Sequence, residues 1–543
     1  MRPSSPDKLL PDWIPNWVQA WAGRALAASL LVLAAAWPFR DAWLQGELPG
    51  AGPDVSSTVW GMWWFQQSWT GPAWGGLTTL VNAPNGAYGS VLSPSSAMLF
   101  ALSEPILGLS AAACLAALLQ IAGVALGVVW LAKKLGLGSV ACWAAGFFML
   151  VGRYLIYDTG EGSLVAVAAI PLPIGLGLLT KRGWGPAIGL AACIMWAALE
   201  NPYLALILPL AAGMSWLGDR RLPMAIGTLI GCLGTLGISH IYSASANPDY
   251  PNARAGEWYH LGPWRIEIVD LPWARASLTE LFWPTELSWT VDSTSAMQAS
   301  GGLYLGWSLL FFAGLGLALS WRRASPWLAA WVVALLLSLG SFPGGPFVVL
   351  NGLMDSLLRP LTQPTRFLVL ASICLSILGA IGLEKAQQRF GPKALILLLF
   401  AAVDTLVFGG LSLTPPTLSI PSSECLSNLD GGVLIWPLDA RLDDPTLARM
   451  LQLHHKQPTP HRGIASWRIQ GADVHTSLQS AGFTDNRRNR QLRWKPIIEM
   501  GYQYLVVLPT DPAIPIGLPA PKCESSALAL YHIQDLPDER EAR

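Results

Sequence analysis

Charged residues are scarce in this chain. Only 13% of its 543 residues are Asp, Glu, Lys or Arg, whereas soluble proteins carry about 25%. This shortage excludes an ordinary water-soluble fold of this length. The formal net charge is zero at pH 7, which also excludes a general electrostatic attraction to nucleic acid.

The signatures of several enzyme and metal-site classes are absent from the sequence. No P-loop pattern occurs, so an ATP-driven pump is not indicated. No Gly-x-Ser-x-Gly motif occurs, so nothing supports a serine hydrolase. The Cys and His residues do not follow the spacing of a structural zinc site.

Apolar and aromatic residues are abundant instead. Hydrophobic residues make up 52% of the sequence, which includes 27 Trp and 53 Gly, and the mean hydropathy is +0.42. Trp gathers at membrane–water boundaries, and Gly is common in membrane helices. The composition therefore predicts an α-helical polytopic membrane protein.

The uneven spread of charge divides the chain into parts. Of the charged residues, 27 lie in residues 414–543, or about a fifth of that stretch, while the others make up about a tenth of residues 1–413. We therefore predict a cytoplasmic N-terminus over 1–23, a transmembrane domain over 24–413 and a water-soluble tail domain over 414–543.

Runs of mostly apolar residues predict about eleven membrane helices. They lie at 24–43, 110–132, 138–157, 163–180, 185–200, 202–218, 222–243, 303–321, 326–343, 366–384 and 393–412. The apolar stretch 92–107 contains Pro94, Glu104 and Pro105. We interpret it as a juxtamembrane or re-entrant segment.

Positive charge in the short loops predicts the orientation. Basic residues follow the second, fourth, sixth, eighth and tenth predicted spans, beginning with Lys133 and Lys134. Every second loop is thus basic, and these loops and the N-terminus are predicted to be cytoplasmic. The long loops 45–109, 244–302 and 344–365, together with the tail, are then predicted to lie outside.

The tail has the pattern of a small α/β domain. Three β-prone runs, at 433–436, 504–508 and 527–531, are bounded by Pro and Gly. Cys425 and Cys523 are the two cysteines of the tail. Because the tail is predicted to face an oxidising compartment, we predict a disulfide between them, with two unpaired thiols as the alternative.

The first outer loop contains an isolated acid followed by aromatic residues. Asp54 comes directly after a Gly/Pro turn and begins a predicted helix. Trp60, Trp63 and Trp64 follow at the spacing that places side chains on one helix face. On physical grounds alone this pattern indicates an interfacial helix anchored by Trp, with Asp54 as its N-cap.

The same features resemble bacterial multi-span glycosyltransferases of the GT-C superfamily. In that superfamily a short cytoplasmic N-terminus and one span precede an outer loop whose acidic residue lies on a juxtamembrane helix, and Asp54 matches that acid. Other segments resemble an uncharacterised subgroup with an extracytoplasmic C-terminal domain. They are Asn82–Gly86 with Ser93 and Pro94, Arg359–Phe367, and Gly501–Val507.

The resemblance implies an enzyme of the bacterial inner membrane. Its donor would be a sugar on a polyprenyl phosphate, and its acceptor an envelope glycan, lipid or protein. The expected activity is of hexosyltransferase type and inverts the anomeric configuration. Asp54 would be the general base that removes the proton of the attacking hydroxyl.

A cation must stabilise the lipid phosphate as it leaves. The candidates at predicted outer helix ends are Arg153, Arg359 and Arg366. Arg366 fits best, because the resembling motif places an arginine there.

The sequence departs from the superfamily at a possible metal site. Some members have an acidic pair in the first loop, but no second carboxylate lies close to Asp54 in this sequence, which argues against a divalent metal without excluding one. Asp158 and Glu161 lie in the predicted outer turn between the third and fourth spans and could approach Asp54. Capping of the fourth span is the alternative for both.

Two other functions compete with glycosyl transfer. A catalytically silent scaffold of an envelope assembly system is compatible with the short motifs and the missing acidic pair. A lipid or polysaccharide transporter would need polar residues within the membrane, and Asp404 is the clear case. For Asp404 we favour structural pairing with an arginine or a hydroxyl, because an unpaired acid in lipid is costly.

Overall fold

The structure, a computed structural model, describes most of the chain. The described residues are 16–50, 53–69, 74–81, 83, 85, 87–90, 93–160, 162, 168–218, 222–245, 258–261, 264–267, 281–284, 288–291, 297–300, 303–340, 345–347, 349–350, 364–419, 424–427, 429–436, 446–459, 468–469, 474, 478, 494–507, 519–525 and 528–536. Arg359 and Glu161 lie outside them, as do most of the predicted loops 244–302 and 344–365.

Helices make up most of the described chain. They are α1 (Asn16–Ala36), α2 (Arg40–Gln45), α3 (Pro53–Ser68), α4 (Pro94–Leu107), α5 (Leu109–Lys134), α6 (Ser139–Phe148), α7 (Tyr154–Gly160), α8 (Pro171–Leu179), α9 (Trp184–Glu200), α10 (Pro202–Gly218), α11 (Leu222–Ser245), α12 (Trp307–Ser338), α13 (Leu368–Phe390), α14 (Ile396–Val407), α15 (Thr446–His455) and α16 (Trp494–Glu499). Short 3₁₀ turns occupy Trp37–Phe39, Pro364–Phe367, Gly391–Leu395, Gly410–Ser412, Glu424–Leu426 and Ile533–Asp535.

The strands form small sheets. They are β1 (Leu48–Pro49), β2 (Trp74–Thr78), β3 (Ala87–Ser90), β4 (Trp258–Leu261), β5 (Trp264–Glu267), β6 (Ser288–Val291), β7 (Met297–Ser300), β8 (Thr417–Leu418), β9 (Gly432–Trp436), β10 (Arg468–Ile469), β11 (Tyr502–Val507), β12 (Cys523–Glu524) and β13 (Ala529–His532). The largest sheet has the order β12-β13-β11-β9. Its strands include the three β-prone runs of the tail, with β9 and β11 parallel and the other pairs antiparallel.

Long apolar helices mark the chain as a membrane protein. Within the described residues, three segments are long and apolar enough to cross a membrane: Ala22–Gln45, Leu109–Lys134 and Pro364–Ser412. Shorter apolar helices occupy Ser139–Phe148, Trp184–Glu200, Tyr203–Gly213 and Leu222–Ile238. The count of about eleven spans stays a prediction.

Helix α1 shows how such a segment meets lipid. Leu26, Leu30 and Leu33 are exposed at the spacing of one helix face, whereas Leu31 and Ala35 are buried against the core. A large exposed apolar stripe is costly in water and is the normal surface of a helix in a bilayer.

Glycines allow the central helices to pack closely. A Cβ on Gly382 of α13 would lie 2.0 Å from the backbone oxygen of Phe312 of α12, and a Cβ on Gly316 would lie 2.6 Å from that of Leu378. Only glycine permits these contacts, which is the usual way that membrane helices pack without a hydrophobic driving force. Helix α13 is consequently buried over most of its length.

The third predicted span, 138–157, is not one continuous helix. Helix α6 ends at Phe148 and α7 begins at Tyr154. The backbone N–H of Arg153 donates to the backbone carbonyl of Tyr304 (2.9 Å), and the carbonyl of Val151 accepts from the backbone N–H of Gly410 (3.1 Å). These bonds satisfy the groups that the break leaves without helical partners, so the interruption can be buried.

Residues of three predicted cytoplasmic loops meet at one end of α5, and one of these loops is the kink of α12 at Ser320, whose φ of -152° and ψ of 50° are not helical. Arg323 donates to Glu384 (2.8 Å) and to the carbonyl of Leu135 (2.6 Å), and Glu384 also accepts from the backbone N–H of Gly138 (2.8 Å). At the other end of α5, the Cys114 thiol lies 3.8 Å from the carbonyl of Glu47, in the first predicted outer loop. A helix of 26 residues separates these ends by about 39 Å.

Candidate functional site

Asp54 lies in the first turn of α3, with its side chain exposed. The body of α3 is buried, since Trp60, Trp63 and Trp64 are exposed by 0%, 2% and 0%. The interpretation of α3 as an interfacial helix anchored by Trp is therefore wrong. The indoles pack inside the protein, where Trp60 and Trp64 stack with their centroids 6.4 Å apart.

A glycine turn fixes the start of α3. A Cβ on Gly162 would lie 2.1 Å from the backbone nitrogen of Val55 and 2.5 Å from the carbonyl carbon of Asp54. The hydroxyl of Thr58 donates to the carbonyl of Gly162 (2.6 Å). A Cβ on Gly50 would lie 2.4 Å from the carbonyl oxygen of Gly160. The turn between the third and fourth predicted spans thus lies directly against Asp54.

The turn contains two acidic residues, Asp158 and Glu161, and the structure describes only Asp158. Asp158 is buried within α7. Glu161 lies outside the described residues, but its neighbours Gly160 and Gly162 both contact the first loop. The approach of this turn to the first loop agrees with the expectation drawn from the sequence. Among the residues that the structure describes, no group of three potential metal ligands occurs.

Arg366 lies just before the long apolar helix α13. It lies in the 3₁₀ turn Pro364–Phe367 and is half-buried. The carbon Cζ of its guanidinium lies 5.2 Å from the centroid of the Tyr203 ring. Its buried Nε has no hydrogen-bond partner among the described residues. The guanidinium is thus held on an aromatic face, and its buried Nε–H has hydrogen-bonding capacity that no described group uses.

Arg153 has other contacts. It is buried, and its Nε donates to the carbonyl of Phe408 (2.5 Å). Its Cζ lies 5.6 Å from the centroid of the Tyr304 ring. These contacts hold the break between α6 and α7 against the end of α14.

Asp404 is a structural acid. It is buried, and its carboxylate accepts hydrogen bonds from the hydroxyls of Tyr304 (2.8 Å) and Ser308 (2.7 Å) and from the backbone N–H of Ser308 (2.7 Å). The predicted pairing with hydroxyl groups is confirmed.

Sequence reasoning missed the role of Glu200. This buried carboxylate accepts from the Ser93 hydroxyl (2.7 Å), the backbone N–H of Ser95 (3.0 Å) and the Trp196 indole (3.0 Å). It therefore anchors the N-terminus of α4 to the turn that leads to Tyr203. The sequence Glu200-Asn201-Pro202 favours a helix break, because the residue before a proline is disfavoured in a helix, but it carries no signal for Ser93 as a partner.

Comparison with known proteins gives remote similarities. No protein-family model and no curated protein matches the chain. Similar solved structures include the oligosaccharyltransferase AglB of Archaeoglobus fulgidus in complex with an inhibitory peptide and a dolichol-phosphate, with 12% identity, a TM-score of 0.39 and coverage of 90% of this chain and 70% of that one.

Two further structures are similar in the same way. The oligosaccharyltransferase of Archaeoglobus fulgidus in the apo form has 11% identity, a TM-score of 0.44 and the same coverage of 90% and 70%. ArnT from Cupriavidus metallidurans in the apo state has 14% identity, a TM-score of 0.40 and coverage of 95% and 98%.

Proposed function

We propose that the chain is an integral membrane glycosyltransferase. It transfers a sugar from a polyprenyl phosphate to an envelope acceptor at the outer face of the membrane. The observation that carries this proposal is the setting of Asp54. Its carboxylate is exposed at the start of a helix whose body is buried, so a reactive group is held toward solvent on a rigid element.

Asp54 acts as the general base in the proposed reaction. As the acceptor hydroxyl oxygen forms a bond to the anomeric carbon, its proton passes to the Asp54 carboxylate. The bond from the anomeric carbon to the phosphate oxygen breaks, and the electron pair leaves with the polyprenyl phosphate. Attack opposite the leaving group inverts the anomeric configuration.

Arg366 binds the phosphate as negative charge develops on it. An arginine stays charged through the reaction and can donate two hydrogen bonds to one phosphate. Arg366 lies in the turn before the apolar helix α13, at a predicted outer end of a span, and this is the depth that we propose for the lipid phosphate. Arg359, in the segment that leads to this turn, and Glu161, between Gly160 and Gly162, are proposed to complete the site.

The proposed orientation follows the basic loops. We assign the cytoplasm to the end of α5 where Arg323 meets Glu384, and the outside to the end beside Glu47 and the tail. About eleven spans over residues 24–413 and an extracytoplasmic tail from residue 414 complete this topology. The disulfide between Cys425 and Cys523 is compatible with an oxidising compartment.

Replacement of the proposed base tests the function. The purified chain in lipid nanodiscs would be incubated with a panel of polyprenyl-phosphate-linked hexoses and an envelope extract, and the released polyprenyl phosphate measured. We expect Asp54→Asn to lower release at least about a hundredfold, within the range typical of a lost general base. Asp41→Asn, which changes an acid of α2, is the matched control. Undiminished release by Asp54→Asn would overturn the assignment.

Replacement of Arg366 tests the phosphate site separately. Binding of decaprenyl phosphate to the chain in nanodiscs should weaken in Arg366→Gln. Arg40→Gln is the control, because Arg40 also lies over an aromatic ring, that of Trp37, but donates to Thr414 and to the carbonyl of Trp37. Equal affinity of the two variants would remove Arg366 from the site.

A catalytically silent scaffold is the second candidate. The observation that favours it is that Asp54 lies in the first turn of a helix, where an acid is stabilising without any catalytic role. If Asp54→Asn cells keep an intact envelope while deletion of residues 414–543 disrupts it, the scaffold function is supported instead.

A further inference from the structure

A buried glutamine of the tail contacts the helix that carries Asp54. Gln452 of α15 is exposed by 0%. Its Oε1 accepts a hydrogen bond from the Trp60 indole (2.8 Å). Its Nε2 donates to the carbonyls of Leu80 (2.8 Å) and Gln457 (2.9 Å). One amide thus joins α3, the segment of the first outer loop that follows β2, and the tail.

The chemistry of the partners fixes the orientation of this amide. The indole N–H of Trp60 can only donate, and the two backbone carbonyls can only accept. A reversed amide would place donor against donor and acceptor against acceptor. Because the site is buried, water cannot repair a mismatch, and each unpaired group would keep its full desolvation cost.

Backbone contacts surround Gln452 and extend the junction. The N–H of Thr459 donates to the carbonyl of Leu80 (3.1 Å), and the N–H of Ala83 donates to the carbonyl of Thr459 (3.2 Å). The hydroxyl of Tyr502 donates to the carbonyl of Ala83. Strand β10 of the tail pairs with β3 of the first loop, with Arg468 opposite Tyr88. The first loop and the tail therefore share one hydrogen-bonded body.

We propose that Gln452 is a positioning residue for Asp54, so that the tail is part of the transfer site. This inference rests on the proposed function. Trp60 lies six residues after Asp54, which is about 9 Å along the helix axis. By holding Trp60, Gln452 fixes the translation and rotation of α3 and hence the position of the carboxylate relative to the attacking hydroxyl. A displacement of about 1 Å in such a group can cost about a hundredfold in rate.

The test uses two replacements of different kinds in the full chain. Gln452→Leu removes the donor and acceptor at similar volume. Gln452→Glu keeps the shape and the acceptor for Trp60, but sets a second oxygen against two carbonyls. Gln457→Leu is the matched control, because the Gln457 side chain donates to Leu429 (2.5 Å) within the tail and does not carry the contact to Trp60.

The expected result separates positioning from folding. With the lipid-linked hexose that the panel identifies, Gln452→Leu should lower kcat by about tenfold to a hundredfold, with KM for the donor and the affinity for decaprenyl phosphate changed less than twofold. Gln452→Glu should regain activity toward acidic pH relative to the natural chain, because a protonated acid can donate to one carbonyl. A merely structural role would lower kcat and decaprenyl phosphate binding together and show no such recovery.

A second variant keeps the test decisive if Gln452→Leu folds poorly. Trp60→Phe removes the other partner of the hydrogen bond, so by itself it should lower kcat by about tenfold to a hundredfold with the affinity for decaprenyl phosphate changed less than twofold. Unchanged kcat in Trp60→Phe, or a loss of kcat matched by an equal loss of decaprenyl phosphate affinity, would overturn the inference. If Asp54→Asn is fully active, the proposed function itself is wrong. If Asp54→Asn is inactive but the Gln452 variants keep full activity, only the positioning role of Gln452 is wrong.

Discussion

Gly162 lies directly against the backbone of Val55, in the turn where α3 begins. Its φ angle is +93°, and a Cβ at this position would lie 2.1 Å from the nitrogen of Val55. Both the left-handed conformation and the close approach require glycine. The position of Asp54 therefore depends on a residue that lies more than a hundred positions later in the chain.

We expect Gly162→Ala to destabilise the protein and displace Asp54. The left-handed conformation costs a non-glycine residue about 1–2 kcal/mol, and overpacking adds about 1–3 kcal/mol. Gly136→Ala is the control, since Gly136 has a φ of +74° but no atom within 4 Å of its Cβ position. Thermal unfolding in detergent should show a clearly larger loss for Gly162→Ala. Equal losses in the two variants would contradict the close contact.

We expect Tyr203 to support Arg366 through its ring rather than its hydroxyl. Loss of a cation–π contact costs about 0.5–2 kcal/mol, so Tyr203→Leu should raise the Kd for decaprenyl phosphate about threefold to thirtyfold. Tyr203→Phe should retain most of the affinity. Trp37→Leu, which removes the ring beneath Arg40, should leave Kd unchanged. The assignment fails if Tyr203→Leu binds like the natural chain.

We expect Asp404→Asn to reduce stability without changing decaprenyl phosphate binding. An amide cannot accept from all three groups that the carboxylate pairs with, and a hydrogen bond to a charged group contributes about 1.5–3 kcal/mol. A lower unfolding temperature with an unchanged Kd supports the structural role. A stable variant that binds decaprenyl phosphate more weakly would instead indicate that Asp404 lies on a ligand pathway, as a transporter requires.

We expect the disulfide between Cys425 and Cys523 to stabilise the tail. It closes a loop over a sequence separation of 98, and its Cα atoms are 5.5 Å apart. Native disulfides of this kind contribute about 2–5 kcal/mol. The Cys425→Ser/Cys523→Ser double variant should unfold at a lower temperature, and a reductant should lower the transition of the natural chain only. Cys374→Ser, at a buried thiol, is the control for substitution itself.

Local patterns predicted the parts of the fold whose causes are local. The three β-prone runs of the tail could be predicted as strands from the sequence alone. Each is a short run of residues that favour strands, with Pro or Gly at its ends. Asp404 could be assigned a partner because an acid in an apolar helix needs one. The break between α6 and α7 could not be predicted, because the hydrogen bonds that stabilise it come from Tyr304 and Gly410, which are far away in the sequence.

The candidate site shows the limit of pattern reasoning more clearly. The Trp face of α3 has the same periodicity whether it meets lipid or protein, and its partner Gln452 lies 392 positions away from Trp60. Gln452 has no local signal, since a glutamine in an amphipathic helix is typical of an exposed position. The contact between the Arg366 guanidinium and the Tyr203 ring could not be predicted either, because it depends on where two helices far apart in the sequence begin.

The junction of the first loop with the strand after α14 depends on the ionisation of Glu47. Strand β1 pairs with β8, and the Glu47 carboxylate accepts hydrogen bonds from the hydroxyls of Ser419 and Thr417. These hydroxyls, Ser419 first, stabilise the charged form and hold the pKa of Glu47 below its ordinary value.

The sign of the pH dependence follows from this lowered pKa. In the unfolded chain Glu47 keeps its ordinary pKa, so the folded state gains stability wherever the carboxylate is charged. The contribution is fully present above the ordinary pKa and is lost as pH falls through the lowered one. We therefore expect the pairing of β1 with β8 to weaken in acid but not between neutral and mildly alkaline pH.

Hydrogen exchange at the backbone amides of Leu48 and Leu418 can measure this change. After correction for the intrinsic pH dependence of exchange, protection should fall with acidification in the natural chain. In Glu47→Gln the neutral amide offers the hydroxyls a weaker acceptor, so protection should be lower at neutral pH and nearly constant as pH falls. If both proteins lose protection in parallel, another carboxylate controls the junction, and the hydrogen bonds of Glu47 contribute nothing to the attachment of β1.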